Sequence, residues 1–445
     1  MKCIRHAACL AALVTSSAAG AQQITDGVVR IGVMNDMSSL YADISGPGAI
    51  VAARMAVEDF GAAEKGLKVE VVGADHQNKA DVGSNIVRKW FDVDQVDVIV
   101  DVPTSSIALA VNEIARERNK VFLISGAASS DLTGAKCSPN SVHWTYDTWA
   151  LANGTGKATV KIGGDTWFFV TADYAFGHAL ERDTAAVVEA NGGKVVGKVR
   201  HPLNTSDFSS FLLQAQASKA KIIGLANAGG DTINAIKQAA EFGVVQGRQN
   251  IAGLLVFIND VHALGLRAAQ GLMLTEAFYW DRDDATRAFA KRFAPQYKGN
   301  MPSMVQAGVY AAVLHYLKAV EALKSDADGK AVVAKMKEMP TDDPLFRNGV
   351  IRADGRKIHD MFLLEVKKPE ESKYPWDYYK LRATIAAGRG VPPAQGGRLP
   401  AGERLRTFAH VADSESALAG VTQRGRSLVT NSENRNCHLK TWEAL

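Results

Sequence analysis

Four times between residues 28 and 133 an apolar, β-branched run gives way to a helix-length stretch, and no other feature narrows the fold so far. Residues 28–33, 67–73, 96–102 and 121–124 have the length and composition of buried strands. Between them, residues 48–60 carry Ile50, Ala53, Met55, Val57 and Phe60 at helical spacing, with Gly61 to close the helix. Two more helices are predicted over 81–91 and 107–118. Parallel neighbours need a crossover long enough to hold a helix, so this alternation predicts an α/β fold with a doubly wound parallel sheet.

The rhythm pauses over residues 136–155 and then restarts. Strands are predicted at 165–171, 194–199, 221–225, 251–257 and 271–279, with helices at 179–190, 208–217 and 232–242. A long helix over 303–323, another over 330–339, and a short β pair at 349–352 and 361–366 follow. The chain thus predicts two similar α/β lobes in succession. Its 445 residues, 47% of them hydrophobic, are ample for two cores.

The strand ends are small and polar. The fourth strand runs straight into Ser125-Gly126-Ala127-Ala128-Ser129-Ser130-Asp131, with no bulk to fill a core. Ser39 and Tyr41 follow the first strand, and Thr104, Ser105 and Ser106 the third. Tyr174, Asn227 and Glu276 stand at similar points of the second lobe. Ligands of open α/β sheets bind outside the carboxyl ends of the strands. Hydroxyls and backbone N–H groups near helix N-termini suit a carboxylate. These eleven residues (Ser39, Tyr41, Thr104, Ser105, Ser106, Ala127, Ala128, Ser129, Tyr174, Asn227 and Glu276) are therefore the candidate ligand-binding set, in a cleft between the lobes. Individually, Ser106 could be a helix cap and Tyr174 a core aromatic.

Other classes have little support. There is no GxSxG, P-loop, GxGxxG or HExxH, and the ten histidines are dispersed without Cys or carboxylate partners at metal spacing. No enzyme, cofactor or metal is expected. Net charge is only +4 with both signs interspersed, so no nucleic-acid surface is expected either. Lys2 and Arg5 precede an apolar run at 7–14 and the small-residue site Ala19-Gly20-Ala21, which predicts a signal peptide over 1–21 and export to the periplasm. Its removal leaves Cys137 and Cys437, which an oxidising compartment permits to pair.

Taken in order, VRIGVMNDMSSLYADISGPGAIVAARMAVEDF, VDVIVDVPTSSIALAV, VFLISGAASSDLT and FFVTADYAFGHAL resemble the periplasmic solute-binding proteins of the branched-chain amino-acid ABC transporter group. The likeness covers about residues 28–383. It implies a type I periplasmic binding fold with a three-crossover hinge. The N-terminal lobe would span 27–147 plus about 279–345, and the C-terminal lobe 148–278 plus about 346–385. It also implies lobe closure on a small carboxylate-bearing solute, and docking of a monomer on the permease of an inner-membrane ABC importer. By the resemblance, the carboxylate contacts fall on Ser106 and the 127–129 turn, the ring-stacking aromatic on Tyr174, and the acid that pairs with an amino group on Glu276. TEAFYWDRDDATRAF resembles the branch that includes binders of aromatic and other organic acids, which carry no ammonium for Glu276.

Relatives end soon after the segment at 378–385, with a Cys that could pair with Cys137. Here the sequence changes to AAGRGVPPAQGGRLPAGERLRTF, so residues 386–445 are expected to be either the product of a reading-frame change, with Cys437 a chance cysteine and Cys137 left unpaired, or a real flexible extension. Two further readings compete with transport: a ligand-sensing receptor subunit on the same fold, and a secreted hydrolase.

Overall fold

The strand β1 (Val29–Asn35) is the centre from which the first lobe is wound. In this computed structural model, which describes residues 24–387 apart from 246, 342 and 348, β1 pairs on both sides with parallel strands. The expected signal peptide, Cys437 and the tail beyond Ala387 lie outside the described residues. After β1 come α1 (Gly46–Phe60), β2 (Val69–Asp75), α2 (Ala80–Asp92), β3 (Val98–Asp101), α3 (Ser105–Glu117), β4 (Val121–Ile124) and β5 (Ser141–His143). The sheet order is β2-β1-β3-β4-β5. Winding therefore reverses between β1 and β3, which opens a crevice at their carboxyl ends.

The second lobe repeats the plan. α4 (Thr148–Leu151) continues through a π-helical turn into α5 (Lys157–Lys161). Then follow β6 (Thr166–Ala172), α6 (Ala175–Ala190), β7 (Lys194–His201), α7 (Ser209–Ala217), β8 (Ile222–Ala226), α8 (Gly230–Glu241) and β9 (Asn250–Gly253). The order β7-β6-β8-β9 reverses between β6 and β8. Two short helices, α9 (Ile258–Leu264) and α10 (Leu266–Ala269), lead to β10 (Met273–Glu276).

Three helices then return to the first lobe: α11 (Asp284–Phe293), α12 (Met304–Leu323) and α13 (Gly329–Glu338). Almost every residue of α12 is buried, and it packs along α1. Asp59 at the end of α1 fixes this return, accepting from Arg292 at 2.7 and 2.8 Å and from the Tyr310 hydroxyl at 2.8 Å. The remaining strands are β11 (Val350–Ile351), β12 (Lys357–Ile358), β13 (Met361–Val366) and β14 (Tyr379–Ile385).

Three sequence expectations change. The segments 349–352 and 361–366 do not pair with each other: β11 pairs with β12, while β13 lies between β10 and β14. The intervening turn at Gly355 closes the smaller hairpin, so the apolar alternation of MFLLEV is left for the larger sheet. The expected strand at 251–257 stops at Gly253, because Asp260 accepts from the Phe257 N–H at 2.9 Å and starts α9 there. The pause after residue 136 holds β5, too short for periodicity to reveal. Cys137, in that segment, is disulfide-bonded, against the expectation that a reading-frame change leaves it unpaired.

Candidate functional site

The crevices of the two sheets face each other across one cavity. Its first-lobe wall is Tyr41, Ile44, Pro103, Gly126, Ala128 and Tyr146, and its second-lobe wall Tyr174, Phe176, Ala228, Leu255 and Phe257. The space accessible inside it is only about 10 Å³, room for about one water, so the two walls are nearly closed on each other. Five of the eleven walls are aromatic or phenolic rings, and none carries a formal charge. The lobes touch at its rim: the Tyr41 and Tyr174 hydroxyls are 2.5 Å apart, and the Gly230 N–H donates to the Leu40 carbonyl at 3.3 Å. Gly229 makes this approach possible, with φ +58° and a space where a Cβ would stand 2.5 Å from the Leu40 oxygen.

Four helices of twelve or more residues begin at this cavity, besides the short α4 and α9. Ile44 precedes α1, Pro103 precedes α3, Tyr174 precedes α6 and Ala228 precedes α8. The N-cap residues of all four (Ser45, Thr104, Tyr174 and Gly229) make no side-chain capping bond. α11, α12 and α13 are capped by Asp283, Ser303 and Asp328, whereas α2 and α7 lack a side-chain cap as the four do. The positive ends of the four cleft helices thus converge on an uncharged cavity, the electrostatic arrangement that holds an anion.

The sequence-derived residues divide into three groups. Tyr41, Ala128 and Tyr174 line the cavity. Burial raises the hydroxyl pKa of Tyr41 and of Tyr174, so both remain donors at neutral pH. A second group shapes the wall from behind. The Ser105 hydroxyl accepts from the N–H groups of Ala128 and Ser129 at 3.3 and 3.2 Å and thereby sets the turn after β4. Ser129 accepts from the Asp131 N–H, Thr104 donates to Asn78, and Ala127 is fully buried with its carbonyl bonded to His143.

The third group points elsewhere. Ser39 is exposed and donates to Asp36. Ser106 is half-buried in the first turn of α3 and lies outside the lining. Asn227 is consumed within the second lobe, accepting from Thr232 at 2.7 Å and contacting His201 at 3.1 Å. Glu276 is 1% exposed and accepts from the Tyr379 hydroxyl at 3.0 Å. Burial pushes its carboxyl well above the usual range, and nearby Asp260 adds to this.

Tyr146, Leu255 and Phe257 are walls that the sequence analysis did not select. Phe257 ends the apolar run 251–257, so the strand-end rule that selected Asn227 reaches it too; nothing comparable marks Tyr146. Asp260, which holds Phe257 in place, is 2% exposed, and burial pushes its pKa up to about 7 from an ordinary 3.8. A raised folded-state value favours folding at low pH, and this contribution is lost as pH climbs from about 4 through 7. Asp260→Asn keeps an acceptor for the Phe257 N–H but removes the titration. The gap in melting temperature between wild type and this variant is therefore expected to narrow in favour of the variant between pH 5 and pH 8. A gap that stays constant over that range would contradict the assignment.

A family model described as periplasmic binding protein matches residues 28–373. The chain is similar to the crystal structure of a periplasmic binding protein from Burkholderia mallei: 55% identity, TM-score 0.81, covering 83% of this chain and 98% of that one. It is also similar to a branched chain amino acid ABC transporter periplasmic ligand-binding protein from Burkholderia xenovorans LB400, with 42% identity and a TM-score of 0.73 over 82% of this chain and 97% of that one. Leu/Ile/Val-binding protein homolog 6 of Brucella melitensis is 26% identical over 275 residues, 60% of this chain and 69% of the relative. Among the described residues, no helix is long and apolar enough to cross a membrane.

Proposed function

Because the chain belongs to the periplasmic binding protein family and is a solute-binding protein rather than an enzyme, we propose that it captures a small aromatic monocarboxylate by lobe closure and delivers it, as a monomer exported through its signal peptide, to the permease of an ABC importer. One observation carries this reading: the uncapped N-termini of α1, α3, α6 and α8 meet at an uncharged cavity walled by Tyr41, Tyr146, Tyr174, Phe176 and Phe257. The helix ends favour the carboxylate, and offset or edge-on ring contacts favour an aromatic body. An ammonium would find no carboxylate among the lining residues.

A second reading, an apolar amino acid, is favoured by the buried carboxyls of Asp260 and Glu276 behind Phe257 and by what the 42% identical relative is named for. A thermal-shift screen of refolded, ligand-stripped protein separates the two. Benzoate- and cinnamate-type acids form one set, and leucine, isoleucine and valine the other. Solute at a hundred times its dissociation constant adds about 2.7 kcal/mol to stability, so the shift expected with the aromatic set is several degrees. Shifts confined to the amino-acid set would replace the first reading by the second, and silence from both sets would end the carboxylate proposal.

A further inference from the structure

The carboxyl of Asp101 is fully buried at the carboxyl end of β3, beside the cavity. Its two oxygens are unequal. Oδ2 accepts from the Ser45 hydroxyl and from the Asn35 amide at 3.0 Å, and Asn35 in turn donates to the Gly46 carbonyl at 3.0 Å. Oδ1 has no partner among the described residues. It lies against Gly126, a cavity wall, 2.7 Å from where a Cβ on that residue would stand. Pro103, another wall, is as close to the same point. The backbone here is held in an unusual form: Asp101 has φ +85° and the β-branched Val102 +55°. Non-glycine residues in this region persist only where the surroundings over-determine them, and they concentrate at ligand clamps. A buried carboxylate oxygen without a donor is costly, so a donor from outside the chain's own bonds would be stabilising there.

We propose that Asp101 is a specificity residue of the cleft, its Oδ1 accepting a hydrogen bond from a donor carried by the solute at the end that rests on Gly126. The preferred solutes are then carboxylic acids bearing a hydroxyl or similar donor opposite the carboxylate, rather than the bare acids. This rests on the reading of the cavity as a carboxylate site. Asp101→Asn reverses the polarity at the critical point. Because Oδ2 already takes two donors, the amide oxygen must keep that place, and the NH₂ group replaces Oδ1.

The test is calorimetric titration with matched pairs: 4-hydroxybenzoate against benzoate, and 4-hydroxycinnamate against cinnamate. Wild type is expected to favour the donor-bearing member of the pair it binds by roughly 10- to 100-fold, and Asp101→Asn to level that preference. Asp101→Ala, which removes the acceptor altogether, is expected to level it too, and serves if Asp101→Asn does not fold. Equal affinity for both members in wild type, or a preference that survives either variant, overturns the donor subsite and leaves the carboxylate site intact. No binding of any member overturns both.

Discussion

Arg356→Met is expected to destabilise the ligand-free protein by about 3–5 kcal/mol, the usual result of removing one partner from a buried ion pair. Arg356 and Asp147 are 2% and 0% exposed, with the guanidinium Nε donating to the carboxylate at 2.8 Å. Nη1 also donates to the carbonyls of His143 at 3.2 Å and Trp144 at 3.3 Å. Asp147 stands where the chain leaves the first lobe, between β5 and α4, and caps α4 through the Ala150 N–H at 2.7 Å. Arg356 comes from the small β11–β12 hairpin far along the chain, so the pair staples two segments distant in sequence. Without the guanidinium the Asp147 carboxylate stays buried, with the Ala150 N–H its one recorded donor. Urea denaturation measures the loss, and Asp147→Asn/Arg356→Met should recover part of it through a positive coupling. A loss below about 1 kcal/mol, as for an exposed pair, would show that burial of the pair contributes little to stability.

Tyr174→Ala is expected to weaken solute binding by about a hundredfold, close to 2.7 kcal/mol, with little change in the melting temperature of the ligand-free protein. The ring is half-buried, packs 5.8 Å from the Phe176 ring, and supplies the second lobe's side of the 2.5 Å contact with Tyr41. It therefore loses its wall and its bond across the cleft together. Tyr174→Phe keeps the wall and removes only the hydroxyl, and a loss of about fivefold is expected, the worth of one hydrogen bond. Calorimetric titration with the acid that gives the largest thermal shift provides both values. If Tyr174→Ala instead lowers ligand-free stability by several kcal/mol, as truncation of a core aromatic does, the ring is packing and its role in the cleft is wrong.

The sequence by itself determined the two wound lobes and the region of the cleft. Strand length, helical spacing and crossover chemistry are local properties, and they placed the long strands and helices of both wound sheets, with α12 and α13, within a few residues, but they did not mark β5, α4, α5, α9, α10 or α11. They also brought Tyr41, Ala128 and Tyr174 to the cavity, because the ends of parallel strands in such sheets necessarily face one way. Tertiary structure decided which polar groups remain free. Ser105 and Asn227 stand at strand ends of the expected kind, yet each is consumed by a neighbour: the backbone of the next turn for one, Thr232 and His201 for the other. Glu276 turns to Tyr379 on β14, a strand no periodicity marked. Asp101 reads as a strand interior residue in VDVIVDV, and only the positions of Ser45, Asn35 and Gly126, distant in sequence, leave one of its oxygens without a donor. A strand end says where a side chain begins, and hydrogen-bond partners from elsewhere in the chain decide whether it is left for a ligand.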